Sequence, residues 1–209
     1  ARHPIAAEHG SAVRQLAASP DGKTLVFTAL AHLWRKTEPG GAPVRLTKAV
    51  DFEWEPAYSA DGKRTAYVDW NDERGSTLEV VAAAGGAPKP LLTSRGVLRQ
   101  PKFSPDGRQI VFRIQDTDKN MAGYRTKPGI YRISALGGAA QFVAPGDDAP
   151  QFSPDGTRIY FSTVDYSGSS AVTRLQSVTL DGLDQRLHAQ TPDADTRELR
   201  ISPDLHWLE

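Results

Sequence analysis

A serine-initiated tetrapeptide returns five times along this chain, and that recurrence limits the fold more than any other feature. Ser19-Pro20-Asp21-Gly22 reappears as Ser59-Ala60-Asp61-Gly62, Ser104-Pro105-Asp106-Gly107, Ser153-Pro154-Asp155-Gly156 and Ser202-Pro203-Asp204-Leu205. The serines fall at 19, 59, 104, 153 and 202, so the intervals are 40, 45, 49 and 49 residues. Self-similarity at that period is the mark of a repeat architecture.

Each of the first four tetrapeptides precedes a short run rich in β-branched and aromatic residues: Lys23–Thr28, Lys63–Val68, Arg108–Arg113 and Thr157–Ser162. Runs of that length and composition read as strands. Pro56-Ala57-Tyr58, Pro101-Lys102-Phe103 and Pro150-Gln151-Phe152 supply the strand before the turn. Proline presets φ at the second turn position, Asp bonds nearby amides and Gly takes the left-handed conformation, so these residues predict a hairpin and give the Asp a turn role, not a catalytic one. A second hairpin signal follows in each unit, at Gly40-Gly41, Gly85-Gly86, Gly137-Gly138 and Asp181-Gly182. Strand-like runs flank each pair and no helix follows, so the paired glycines lack the helix N-terminus of a phosphate cradle.

Four short antiparallel strands per period cannot bury both faces of one sheet. Stacking such sheets around an axis does, which predicts an all-β chain: a β-propeller, or propeller arc, of four-stranded blades. The expected repeats are 13–47, 54–93, 98–144 and 148–188 in a single domain, with 1–12 as an arm and 197–209 as the leading strand of a fifth unit. The buried positions should be Phe27, Tyr58, Tyr67, Phe103, Phe112, Phe152, Phe161 and Ile201.

The chemistry-bearing residues are sparse. Lys plus Arg and Asp plus Glu both number 25, and zero net charge argues against a nucleic-acid binder or an anionic-membrane binder. There is no cysteine, hence no disulfide or thiolate chemistry. Ala1-Arg2-His3-Pro4-Ile5 lacks the apolar stretch of a signal peptide. The histidines His3, His9, His32, His188 and His206 form no metal-binding pair, and no Gly-x-Ser-x-Gly elbow occurs. Asp116-x-Asp118-x-Asn120 has the opening of a calcium loop, but Met121 stands where Gly is needed and Lys127 where Glu is needed. No cofactor, metal or catalytic residue is expected.

The run Pro-x-aromatic-Ser-Pro-Asp-Gly, then an Ile-x-Phe strand, a Gly-Gly turn and a Leu-Thr ending, resembles the TolB-like, WD-like propeller repeat from about Ser11 to Pro203. Phe27-Thr28-Ala29-Leu30-Ala31-His32-Leu33-Trp34 further resembles propellers fused ahead of amidohydrolase domains in bacterial proteins. The resemblance implies a periplasmic or secreted location and a scaffold or recognition role, as part of a larger hydrolase-like protein. In such a fold the first strand of each blade lines the channel. Its opening residues Trp54 and Glu55, Arg99 and Gln100, Asp148, and Arg197 and Glu198 should meet at one mouth, with Trp70 on the adjacent loop. A protein, an extended peptide or a small ligand would bind there; the alternative is a hydrolase or lyase using Glu55, Asp148 and Glu198. Four units and a leading strand also allow two copies to complete one ring.

Overall fold

The computed structural model describes residues 13–115, 127–168 and 170–191. The fifth turn at Ser202, the Asp116–Asp118–Asn120 spacing, Arg197, Glu198 and Ile201 lie outside the described residues. The described residues form strands and connections without a helix. The first sheet comprises β1 (Arg14–Ala18), β2 (Thr24–Ala29), β3 (His32–Thr37) and β4 (Val44–Arg45). The second comprises β5 (Phe52–Tyr58), β6 (Arg64–Asn71), β7 (Gly75–Ala82) and β8 (Lys89–Ser94). The third holds β9 (Val97–Phe103), β10 (Gln109–Gln115), β11 (Gly129–Ser134) and β12 (Gln141–Ala144). The fourth holds β13 (Asp148–Phe152), β14 (Arg158–Asp165), β15 (Val172–Thr179) and β16 (Arg186–Thr191). Each is an antiparallel meander in chain order, and neighbouring sheets touch through their first strands, β1 on β5, β5 on β9 and β9 on β13. This is a β-propeller arc of four blades.

The repeated tetrapeptide builds one turn four times. In the first copy the Ser19 hydroxyl donates to Asp21 Oδ1 at 2.6 Å and accepts the Thr24 N–H at 2.9 Å. Asp21 Oδ1 also accepts the Lys23 N–H at 3.1 Å, and the Gly22 N–H donates to the Ser19 carbonyl at 2.8 Å. Gly22 has φ +69°, the left-handed region where a side chain is costly. The same bonds recur at Ser59–Asp61, Ser104–Asp106 and Ser153–Asp155. The second copy makes them with Ala60 in place of proline, so the ring is not what closes the turn. Proline instead lies against the next blade: a Cβ added to Gly62 would stand 3.4 Å from the Pro20 ring, and one on Gly156 would stand 3.7 Å from Pro105.

The core lies between blades, on the second strands. Phe27, Tyr67, Phe112 and Phe161 are buried, as expected. Three apolar clusters join blades one and two, two and three, and three and four, for example Val26 and Leu33 with Tyr67 and Val81 in the first. Tyr58, Phe103 and Phe152 are only half-buried. Each stands one residue before its turn serine, at the rim of the blade, and packs against a cluster from outside.

Candidate functional site

All four inner strands break register at the same place. Between the pairs Arg14↔Thr28 and Ala17↔Val26 two residues of β1 oppose one of β2; β5, β9 and β13 repeat this at 55–56, 100–101 and 149–150. These are β-bulges, which bend a strand and re-aim a side chain. The first bulge residues are Gln15, Glu55, Gln100 and Ala149, with φ of 52°, 53°, 54° and 50°. Left-handed backbone is unusual for residues with a Cβ and is held only where the surroundings enforce it. The second residues are Leu16, Pro56, Pro101 and Pro150, and a bulge is one of the few strand positions that tolerates a residue without an N–H.

The twist carries each bulge amide to the preceding blade. The Glu55 N–H donates to Gln15 Oε1 at 3.3 Å, the Gln100 N–H to Glu55 Oε2 at 2.5 Å, and the Ala149 N–H to Gln100 Oε1 at 3.1 Å. Blade after blade is thus clasped by one side-chain oxygen. Glu55 does more. Its Oε1 accepts Arg99 Nη2 at 2.6 Å and Nε at 2.8 Å, while Arg99 Nη1 donates to Gln115 Oε1 at 3.2 Å. Arg113 faces Arg99 across the β9–β10 pair and lies 3.9 Å from Asp148 Oδ1. Burial lowers the Arg113 pKa, against the pull of Asp148. Charges therefore run acid, base, base, acid from the second blade to the fourth.

A cavity of about 280 Å³ opens against these strands. Gln15, Glu55, Arg99, Gln100, Ala149 and Gln151 line it, with the bulge prolines between them. Of the residues expected at the mouth, Glu55, Arg99 and Gln100 come together here, and Asp148 is adjacent through Arg113. Trp54 and Trp70 do not line it. Trp54 packs against the core between blades two and three and stacks on Trp70 with centroids 6.5 Å apart. The Trp70 indole donates to Asp72 Oδ1 at 2.7 Å. Gln15 and Arg113 were not foreseen. Gln15 stands four residues before its serine, as Glu55 and Gln100 do, and Arg113 is a lone charge inside the apolar run Ile110–Ile114.

The oxygen-rich loop of the second blade is tied within itself. Arg74 Nη2 bridges Asp51 Oδ2 at 2.8 Å and Asp69 Oδ2 at 2.5 Å, Asn71 Nδ2 donates to Asp51 Oδ1 at 2.9 Å, and the Glu73 N–H donates to Asn71 Oδ1. Burial raises the Asp69 pKa. Beside it Glu53 is fully buried, accepting the Thr47 hydroxyl and the Leu33 N–H. No three acids or histidines among the described residues stand in a metal-holding arrangement.

No family model matches this chain. In sequence it is 32% identical over 127 residues to dipeptidyl-peptidase 5 of Porphyromonas gingivalis, covering 56% of this chain and 18% of that protein. It is 26% identical over 171 residues to an uncharacterised protein of Agrobacterium fabrum, covering 78% of this chain and 54% of that one. The chain thus spans about half, or much less, of the curated relatives it matches. In structure it is similar to an oligogalacturonate lyase solved with manganese, with TM-score 0.74 and 15% identity over 96% of this chain and 58% of that one. TolB from Acinetobacter baumannii gives TM-score 0.68 and 17% identity over 93% and 47%. The β-propeller domain of the trilobed protease from Pyrococcus furiosus gives TM-score 0.60 and 12% over 86% and 57%. At these identities the likeness is one of fold, and that fold is the TolB-like β-propeller.

Proposed function

We propose that this TolB-like β-propeller is a recognition module that binds a protein or peptide segment along its inner strands. The cavity carries the reading. Four blades contribute to it, and its central carboxylate is already engaged. Glu55 accepts three donors, two from Arg99 and one from the Gln100 N–H, and these hold it between the second and third blades. The NH₂ groups of Gln15 and Gln100 have no partner among the described residues, because only their oxygens clasp the next blade. They offer donors to the carbonyls of an extended chain, and the Arg113–Asp148 pair offers charges of both signs. The likeness to TolB supports a periplasmic or secreted location.

The test is a selection of displayed random peptides on the immobilised chain, followed by anisotropy titration of the best sequence. Gln100→Ala and Arg99→Ala should each weaken the selected peptide by about tenfold, the equivalent of one or two hydrogen bonds. Selected peptides that bind both variants undiminished would place recognition elsewhere.

A second reading has one observation behind it. The sequence match to a segment of dipeptidyl-peptidase 5 favours a propeller that serves a catalytic domain. Under that reading the inner strands present substrate rather than transform it. Turnover of dipeptide anilides by this chain alone, lost in Glu55→Ala, would instead support catalysis at the cavity.

A further inference from the structure

The junctions between blades repeat as the blades do, and one of them is built differently. At the end of the blades that carries the serine turns, the residue five after the serine can reach toward the next blade. These residues are Thr24, Arg64 and Gln109; Thr24 shares a cavity with Tyr58 of the next blade, and Arg64 lies over Phe103 of the next blade. At the second junction Arg64 fills the space. Its guanidinium lies 5.1 Å from the Phe103 ring centroid, and its Nη2 donates to the Gly107 carbonyl at 2.7 Å. At the third, Gln109 is held by Arg132 Nη1 at 2.8 Å. At the first, Thr24 is too short to cross, and a cavity of about 310 Å³ remains.

The groups around that cavity want partners. The Tyr58 hydroxyl is shielded from water and has none. Arg35 lines the cavity half-buried and makes no ion pair or hydrogen bond among the described residues. Arg35 is a cation without a counter-charge, and a carboxylate answers it. Asp21 and Asp61 also line the cavity. Each spends only Oδ1 on its turn, which leaves Oδ2 for a cation. Pro20, Ala60, Ala83 and Ala84 close the remainder with small apolar surface.

We infer that this cavity is a binding site for a free amino-acid zwitterion. The carboxylate pairs with Arg35, the ammonium faces Asp21 and Asp61, and the side chain enters the space that Arg64 occupies one blade later. The site lies at the turn end of the first two blades, apart from the bulge cavity, and does not depend on what that cavity binds.

Isothermal titration of the chain with L-arginine, N-acetyl-L-arginine and L-argininamide tests this. The acetyl compound lacks the ammonium and the amide lacks the carboxylate. Each should bind at least about tenfold more weakly than L-arginine, the loss expected for one charge-assisted contact. Arg35→Met should weaken L-arginine by a similar factor. Thr24→Arg rebuilds the second junction at the first; it should abolish binding while the melting temperature holds or rises. Absence of L-arginine binding at concentrations on the order of 10 mM, far weaker than a built site requires, overturns the proposal. So does equal binding of the three compounds, or unchanged binding in Arg35→Met or in folded Thr24→Arg.

Discussion

Replacing Glu55 separates a clasp between blades from an ordinary surface ion pair. The side chain of Glu55 is 10% exposed and that of its partner Arg99 34% exposed. Two losses follow from Glu55→Ala. The Gln100 N–H loses a charged acceptor at 2.5 Å, which costs about 1.5–3 kcal/mol. The Arg99 pair, screened by its partial exposure, adds roughly 1 kcal/mol. Together these give about 3 kcal/mol, or about 6–12 °C in melting temperature for a chain of this size. Glu55→Gln is the informative partner. Gln15 and Gln100 show that a neutral amide oxygen can hold the next blade's N–H. The amide variant should therefore lose only about 1–1.5 kcal/mol, chiefly the charge. Urea denaturation followed by tryptophan fluorescence reads both. If Gln is as damaging as Ala, or if Ala costs under about 0.5 kcal/mol, a level typical of neutral surface changes, the clasp does not hold the blades.

Phe112 has no exposed surface and joins blades two and three, so Phe112→Ala should cost about 3–5 kcal/mol in the same assay. Ser104→Ala removes both the acceptor for the Gln109 N–H and the donor to Asp106, and should cost about 1–2 kcal/mol with the fold retained by circular dichroism. Acid should expose the turn carboxylates. The Ser153 hydroxyl, with the Thr157 amide and hydroxyl, holds the Asp155 pKa at about 2, below its ordinary value of 3.8. A depressed carboxylate stabilises the fold above its unfolded pKa, so that contribution is complete near neutrality and disappears as pH falls from about 4 to about 2. Asp69 and Glu79 are raised by burial and act with the opposite sign. The stability difference between the parent chain and Asp155→Asn isolates the turn: it should shrink across that window, and a difference independent of pH would contradict the assignment.

The turns were legible because their chemistry is local. Ser, Asp and Gly form their bonds within six residues, and the sequence alone specifies the hairpin. Phe27, Tyr67, Phe112 and Phe161 were legible as core for a similar reason, since strand periodicity points them inward. The bulges were not legible. Proline after Glu55 or Gln100 suits many extended conformations, and nothing in those residue types announces a positive φ. Their clasping role appears only when one blade's oxygen meets the next blade's amide. Trp54 packs against the apolar cluster between blades two and three and stacks on Trp70 of its own sheet, a placement that depends on the neighbouring blade and not on sequence order. Tyr58, Phe103 and Phe152 look as apolar as the second-strand aromatics, and only their place beside the turn sets their exposure.

The bulge clasps give the arc a direction. Among the described blades the first three each lend an oxygen forward and the last three each take one from behind, so units cannot be exchanged freely even though their outlines coincide. A duplicate of the third unit would bring the Gln100 oxygen and could receive a successor. A duplicate of the fourth would bring Ala149, whose methyl group lends nothing, and the unit after it would need another source for its amide. Lengthening such an array by copying therefore favours some units as templates over others.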